Sequence, residues 1–289
     1  MTYQGISRRV GPLAGKLSGR FPLCPWRTAF WPLRPAVLSA YPPPQKIEIE
    51  AEETEFRLLR FDGRHSLWFP RDTPITPEMW SEYLSVFWQH PANAHRYLAH
   101  GNFLKPGDVC IDCGACEGTF ALQALEAGAA QVICLEASAE MARCLERTFA
   151  GAIHEEKIVV RNLAVGAIDA VASFAFDPAH PFGGGVGDGG TRSSVKVETL
   201  ATICADLDRL DFVKMDIEGA EIQAIEGALP MLRKLQPRLA ITTYHRAFDY
   251  AALRAMLVAA GYRSINPVGC TERGKGVPRP VMLHAWVDR

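Results

Sequence analysis

Short apolar runs alternate along most of the chain with longer amphipathic stretches, the pattern of buried strands separated by surface helices. Strands are predicted at 109–112, 131–136, 157–161, 211–216 and 238–245. Helices are predicted between them at 117–127, from a Ser138 cap to about 149, at 219–233 and at 248–260. The strands are near-continuous apolar runs, so both of their faces are buried, and in a βα succession that means a parallel sheet covered by helices on each side. Two more strands, 262–268 and 281–287, complete the pattern as a reversed pair at one edge. The predicted fold class is α/β: a doubly wound, mostly parallel seven-stranded sheet.

Upstream, the alternation Ile47-Glu48-Ile49-Glu50 and the run 56–61, followed by Asp62-Gly63, predict a small antiparallel hairpin. Residues 80–100 read as a helix with Trp80, Tyr83, Leu84, Phe87 and Trp88 on one face, either packed as core or roofing an acceptor pocket. Farther on, 171–176 and 191–197 alternate as strands around 183–190, which holds six glycines in eight residues. No Lys-Ser/Thr pair follows, so this is a flexible connection rather than a phosphate loop; such a loop beside a cofactor site can also close over substrate.

A net charge of -1 offers no general attraction to phosphate backbones, and nucleic acid is not expected as a partner. The charge is unevenly spread. The first 47 residues carry seven basic side chains and no acidic one, leaving 24 basic against 32 acidic residues in the remainder. Prolines 22, 25, 32 and 35 interrupt this tail before any run reaches the ~20 apolar residues of a membrane span. Its arginines and aromatics allow peripheral contact with an anionic membrane surface, though a tail lacking order or packed on the catalytic domain is the favoured reading. Cys110, Cys113 and Cys116 follow a C-x2-C-x2-C spacing, but Cys110 lies within a strand and no fourth cysteine follows at cluster spacing. These are read as small buried residues of a reducing cytosol.

The first strand of the main domain ends in Asp112, turns through Gly114 and Gly118 and opens into a helix. Glycine at both positions lets the backbone pass close to a ligand and the helix pack close to the strand. Glu136, about twenty residues past the turn, stands where a carboxylate accepts hydrogen bonds from a ribose diol. Asp216 ends another strand. Three acidic strand ends in one α/β chain point to a nucleoside-binding crevice.

Asp112-Cys113-Gly114-Ala115-Cys116-Glu117-Gly118, then Glu136, then Asp216-Ile217-Glu218-Gly219-Ala220-Glu221, then Tyr244-His245 together resemble the FkbM family of S-adenosylmethionine-dependent methyltransferases, over roughly 104–268. The Asp-Ile-Glu-Gly-Ala-Glu string is the most specific part; the departure is Cys116, where the family usually has asparagine. The resemblance implies the class I, Rossmann-like methyltransferase sheet. It also implies S-adenosylmethionine held by Asp112, Gly114, Ala115, Gly118, Glu136 and Asp216, with Asn162 near the adenine. The organisation read from this is a basic Pro-rich tail (1–44), a hairpin and helix extension (45–100) and the methyltransferase domain (101–289). The implied enzyme is cytoplasmic, and its acceptor is a hydroxyl on a small metabolite, sugar or glycan.

An alcohol has a pKa near that of water, ~15.7, so methyl transfer to it needs a base or a metal. Asp216 and His245, at the ends of adjacent strands, would face one crevice, with His245 as base and Asp216 orienting it or anchoring the acceptor. A hard divalent ion such as magnesium on Asp216, Glu218 and His245 competes with this reading and is less favoured. A structural alternative leaves His245 bonded to backbone and Glu218 and Glu221 favouring a helix N-terminus. Two other function classes use similar turns: a nicotinamide-dependent oxidoreductase, although Gly-x-x-x-Gly falls short of the full dinucleotide fingerprint, and a catalytically silent nucleoside-binding module.

Overall fold

The computed structural model describes residues 13–14, 16–17, 46–90, 93–177, 185–186, 191–246, 249–269 and 279–287. Most of the basic tail, and with it the reading of a membrane contact, lies outside these residues, as does most of the glycine run. Among the described residues no helix is long and apolar enough to cross a membrane.

Strands β1 (Glu48–Glu52), β2 (Phe56–Phe61) and β3 (His65–Pro70) form an antiparallel sheet in that order. Its second turn is at Asp62-Gly63, with φ of 55° and 60°, the pair of left-handed residues a tight hairpin requires. Helix α1 (Pro77–Phe87) starts after Thr76 with proline in its first turn. It stops short of the predicted end at 100. The Asn93 side-chain amide donates to the carbonyls of Ser85 and Trp88, capping the helix, and Pro91 in the sequence has no N–H with which to continue it. The segment beyond runs back to the main sheet.

That sheet is built from β4 (Val109–Cys113), α2 (Thr119–Glu126), β5 (Gln131–Glu136), α3 (Ala139–Thr148), α4 (Ala150–His154) and β6 (Ile158–Asn162). After an excursion it continues with α5 (Leu200–Ile203), β11 (Phe212–Met215), α6 (Glu221–Leu235), β12 (Arg238–Thr242), α7 (Asp249–Ala259), β13 (Ser264–Val268) and β14 (Met282–Trp286). The strand order is β13-β14-β12-β11-β4-β5-β6, with β12, β11, β4, β5 and β6 parallel and β14 antiparallel to both of its neighbours. The excursion holds β7 (Ala164–Val165), β8 (Ala170–Phe176), β9 (Gly185–Val186) and β10 (Thr191–Glu198), which form a separate four-stranded sheet. The two long strands anticipated there pair with each other rather than joining the main sheet.

Alternation along the parallel strands sends side chains to two cores. Ile111, Cys113, Val213, Met215, Leu239 and Ile241 pack toward α6 and α7. Cys110, Val132, Cys134, Phe212 and Ala240 pack toward α2 with Phe120 and Phe149. Cys110 and Cys113 therefore point to opposite faces of the sheet and cannot converge on one cluster. A third core joins Leu59, Phe61, Leu67 and Phe69 of the small sheet to α1 and to Phe174 and Phe176 of β8. Each fully buried large apolar side chain contributes roughly 1.5–3 kcal/mol.

At the ends of β4 and β11 the backbones come very close. A Cβ on Gly114, which has φ 74°, would stand 2.0 Å from the Asp216 carbonyl oxygen; one on Gly118, with φ 87°, would meet Phe149 and Leu145. Both glycines thus permit close packing of protein on protein. Gly114→Ala should destabilise the protein by about 2–4 kcal/mol in urea unfolding, combining overpacking with the left-handed penalty. Gly63→Ala, where nothing lies within 4 Å, should cost only about 1 kcal/mol. Equal costs at the two positions would refute the close-approach account.

Candidate active site

A cavity of about 870 Å³ opens at the carboxyl ends of β4, β5 and β11, where open parallel sheets place their ligands. Part of its lining is the turn Gly114, Ala115 and Cys116 together with Glu136. Glu136 Oε2 accepts the Cys116 N–H at 2.8 Å and Oε1 accepts the Ser138 N–H at 2.7 Å, so the carboxylate is fixed in orientation. Burial pushes its carboxyl group up against the opposing effect of these two bonds. A carboxylate has about four acceptor positions, so each oxygen keeps one for a ribose hydroxyl. With Ala137 and Leu163 as nearby apolar lining, the residues present fit an adenosyl cofactor.

The second part of the site gathers around Asp216. Tyr97 Oη donates to its Oδ2 at 2.8 Å, His95 Nε2 lies 3.3 Å from the same oxygen, and Thr242 Oγ1 donates to Oδ1 at 3.0 Å. His245 Nε2 lies 3.6 Å from Asp216 Oδ1 and 3.4 Å from Glu218 Oε2. On the other side of the ring, Nδ1 is 3.1 Å from Glu221 Oε1. That oxygen also accepts the N–H groups of Ile217 at 3.1 Å and Gly219 at 3.3 Å, which ties the turn presenting Glu218 to the start of α6. The turn uses two consecutive left-handed residues, Glu218 at φ 55° and Gly219 at φ 96°. Asp216, Glu218 and His245 each offer one ligand atom, all within 4.8 Å of one another.

The charges here are strongly coupled. Burial opposes ionisation of Asp216, but His95, Lys214 and His245 outweigh it and hold the carboxyl well below its ordinary range. Burial likewise opposes a charge on His245, and is overcome by Glu218, Glu221 and Asp216, which raise its pKa to about 10. Lys214 Nζ lies 2.9 Å from Asp112 Oδ1, donates to the Gly114 carbonyl at 2.6 Å and sits 5.3 Å from the Tyr97 ring centroid. Burial works against its charge too, but Asp112 and Asp216 keep it protonated. Glu82, on the face of α1 that lines the cavity, is pushed up to about 7 by burial, against the pull of His95 and with added repulsion from Glu117, Asp216 and Glu218.

Of the residues singled out from the sequence, Gly114, Ala115, Glu136 and Asp216 line the cavity. Asp112 is inside the sheet against Lys214, Gly118 lies under α3, and Asn162 donates to the Glu136 and Ala137 carbonyls, bracing the end of β5. His245 is recessed behind Asp216 and Glu218, outside the cavity lining, and the carboxylates around it favour its protonated form. Glu221 was read as favouring a helix N-terminus; its carboxylate is fully buried and organises the turn and the histidine. Sequence reasoning passed over Glu82, His95, Tyr97 and Lys214. Only Lys214 left a signal, as a charge within the apolar strand Phe-Val-Lys-Met.

The model of the FkbM methyltransferase domain matches residues 112–264, more than half of the chain. A comparison with curated proteins finds no match. Among solved structures, a methyltransferase FkbM from Methylobacillus flagellatus KT is similar at 22% identity and a TM-score of 0.48, covering 73% of this chain and 50% of its own. The chain thus spans half the length of that protein. A precorrin-6y C5,15-methyltransferase from Geobacter metallireducens shares 13% identity over 78% of this chain and 96% of its own, with a TM-score of 0.42. Trm5b from Pyrococcus abyssi shares 11% over 84% and 63%, with a TM-score of 0.45.

His245 has a raised folded-state pKa, so its stabilising contribution is full below about 6.5 and is lost as pH rises through about 10. With divalent ions removed, His245→Gln at pH 6 should lower stability by roughly 3 kcal/mol, or about 6–12 °C in Tm. The gap from the wild type should narrow steadily toward pH 10.5. A gap independent of pH would show that the imidazolium is not what the three carboxylates hold.

Proposed function

The chain belongs to the FkbM methyltransferase family, and on that premise we propose that it moves the methyl group of S-adenosylmethionine onto a hydroxyl of a small polyhydroxylated acceptor, a sugar or glycan. The family implies the cofactor; the observation that carries the acceptor class is the acidity of the cavity. Glu78, Glu82, Glu117, Asp216 and Glu218 all line it, against two cations, Lys214 and Arg246, the first of them paired with Asp112. Carboxylates only accept hydrogen bonds, so together they select a ligand rich in hydroxyl donors and repel phosphates, which speaks against nucleic acid.

S-adenosylmethionine, when bound, supplies a methyl group on a sulfonium, transferred by in-line displacement. Glu136 receives the ribose hydroxyls. Asp216, kept anionic and fixed by Tyr97 and Thr242, accepts a hydrogen bond from the acceptor hydroxyl and orients its oxygen. Glu82, with a pKa of about 7, takes the proton as the new O–C bond forms and the S–C bond breaks. His245 sets the positions of Asp216 and Glu218 from behind. The base role expected of it from the sequence is one that its raised pKa works against.

Glu136→Ala should weaken S-adenosylmethionine binding about tenfold to hundredfold in calorimetry, the value of a charge-assisted hydrogen bond of roughly 1.5–3 kcal/mol; an unchanged dissociation constant would remove the ribose assignment. Incubating cell extract with methyl-labelled cofactor should label sugar hydroxyls by mass spectrometry, and label confined to RNA or protein would overturn the acceptor class.

In wild type, turnover should rise with pH through about 7. Glu82→Gln should lose that limb and roughly 10²–10⁴ in turnover while keeping cofactor affinity. A limb near 10 that disappears in His245→Gln would return the base role to the histidine.

A further inference from the structure

We propose that Asp216, Glu218 and His245 form a site for a divalent first-row cation in the wall of the cavity, an inference that rests on reading the cavity as the place of methyl transfer. Metal–ligand bonds of about 2.1 Å put neighbouring donor atoms about 3.0 Å apart in an octahedron and about 3.4 Å apart in a tetrahedron. His245 Nε2 lies 3.4 Å from Glu218 Oε2 and 3.6 Å from Asp216 Oδ1, and the three donors fall within 4.8 Å of one another.

The support behind the histidine points the same way. A metal-bound imidazole generally gives its other ring nitrogen to a carboxylate that fixes the tautomer and the ring plane. Here that carboxylate is Glu221, 3.1 Å from Nδ1 and itself anchored by the Ile217 and Gly219 N–H groups. The His245 side chain is 7% exposed, and Nε2, the nitrogen turned away from Glu221, forms no well-aligned hydrogen bond to either of the two carboxylate oxygens beside it. A buried polar group left this way and aimed between two carboxylates calls for a ligand. Tyr97 donates to Asp216 Oδ2, while Oδ1, which accepts one bond from Thr242, is the oxygen nearer the histidine and has a second lone pair to offer.

One imidazole nitrogen with two carboxylate oxygens suits Mn²⁺ or Zn²⁺ better than Mg²⁺ or Ca²⁺, which prefer oxygen alone. Three protein ligands leave coordination positions open, and Asp216 and Glu218 line the cavity, so an acceptor hydroxyl can reach one. Coordination lowers the pKa of that hydroxyl; its proton passes to Glu82 as the O–C bond forms and the S–C bond breaks.

The test is Mn²⁺ titration of the chelator-stripped full chain, followed by electron paramagnetic resonance and calorimetry. One equivalent should bind per chain, and His245→Ala and Glu218→Gln should each weaken binding at least tenfold. Glu218 is one-third exposed, so its variant keeps the test open if His245→Ala fails to fold. No saturable binding below millimolar Mn²⁺, or affinity unchanged in Glu218→Gln, would overturn the site.

Activity separates this inference from the reading beneath it. Retained S-adenosylmethionine binding in chelator, with turnover lost and restored by Mn²⁺, supports the site. Full turnover in chelator refutes the cation and leaves methyl transfer standing. Failure to bind S-adenosylmethionine with or without Mn²⁺ refutes the reading of the cavity, while the Mn²⁺ stoichiometry still decides the site.

Discussion

Glu221 carries a carboxylate with no access to solvent at the first turn of α6, and such a group persists only when its surroundings supply what water would have given. Its Oε1 takes two backbone N–H groups from the turn after β11 and stands against the His245 ring. The same contacts hold Glu218 in the left-handed region, a conformation that costs a non-glycine residue on the order of 1–3 kcal/mol and persists where the structure around it enforces it. The positions of Glu218, His245 and, through them, the open side of Asp216 all follow from this one buried acid. An uncharged substitute of similar size would keep its place in the helix but release the turn and leave the histidine without a counter-charge on its far side.

A second constraint comes from the sheet itself. Parallel register sets Lys214 of β11 beside Asp112 of β4, so a buried cation and anion meet just below the Gly114 turn. The ammonium also binds the Gly114 carbonyl, at the position where the backbones of β4 and β11 come closest. The ion pair therefore locks the geometry between the Gly114 turn and the strand that leads into Asp216. Buried pairs add little net stability, because desolvation offsets their attraction, but removing one member leaves an uncompensated charge. Its value here lies in the fixed distance between two halves of one site.

The parallel sheet was legible because strands buried on both faces leave continuous apolar runs, and Glu136 and Asp216 were legible because an acid ending such a run has few other uses. The helix written through 80–100 followed a real aromatic period as far as Phe87, but a local side-chain cap ended it. His95 and Tyr97 then reach Asp216 from a segment with no periodicity to read. His245 was placed at a strand tip facing the crevice, whereas β12 ends at Thr242 and the next three residues turn the ring behind the carboxylates. Cys116 shows a subtler limit. Its φ of 47° is left-handed, a region asparagine tolerates better than cysteine, so the asparagine usual at this position has a backbone reason as well as a ligand one.

The acidity proposed to select a hydroxyl-rich acceptor would also oppose its activation. Two unit charges 4 Å apart interact by about 4 kcal/mol at an effective dielectric constant near 20, and each 1.4 kcal/mol is a factor of about ten in rate. A full alkoxide forming beside Asp216 and Glu218 would therefore be slowed by orders of magnitude. Two features of the site answer this. Burial, with added repulsion from Glu117, Asp216 and Glu218, holds Glu82 near 7, which would make it a stronger base than an ordinary glutamate and let the proton leave as the bond to carbon forms. A cation among Asp216, Glu218 and His245 would act from the other direction, neutralising the field and lowering the pKa of the hydroxyl, and by the same linkage it would lower that of Glu82. Hydroxyl acidity and, in part, the base strength of Glu82 would thus both depend on the charge held by Asp216, Glu218 and a cation between them.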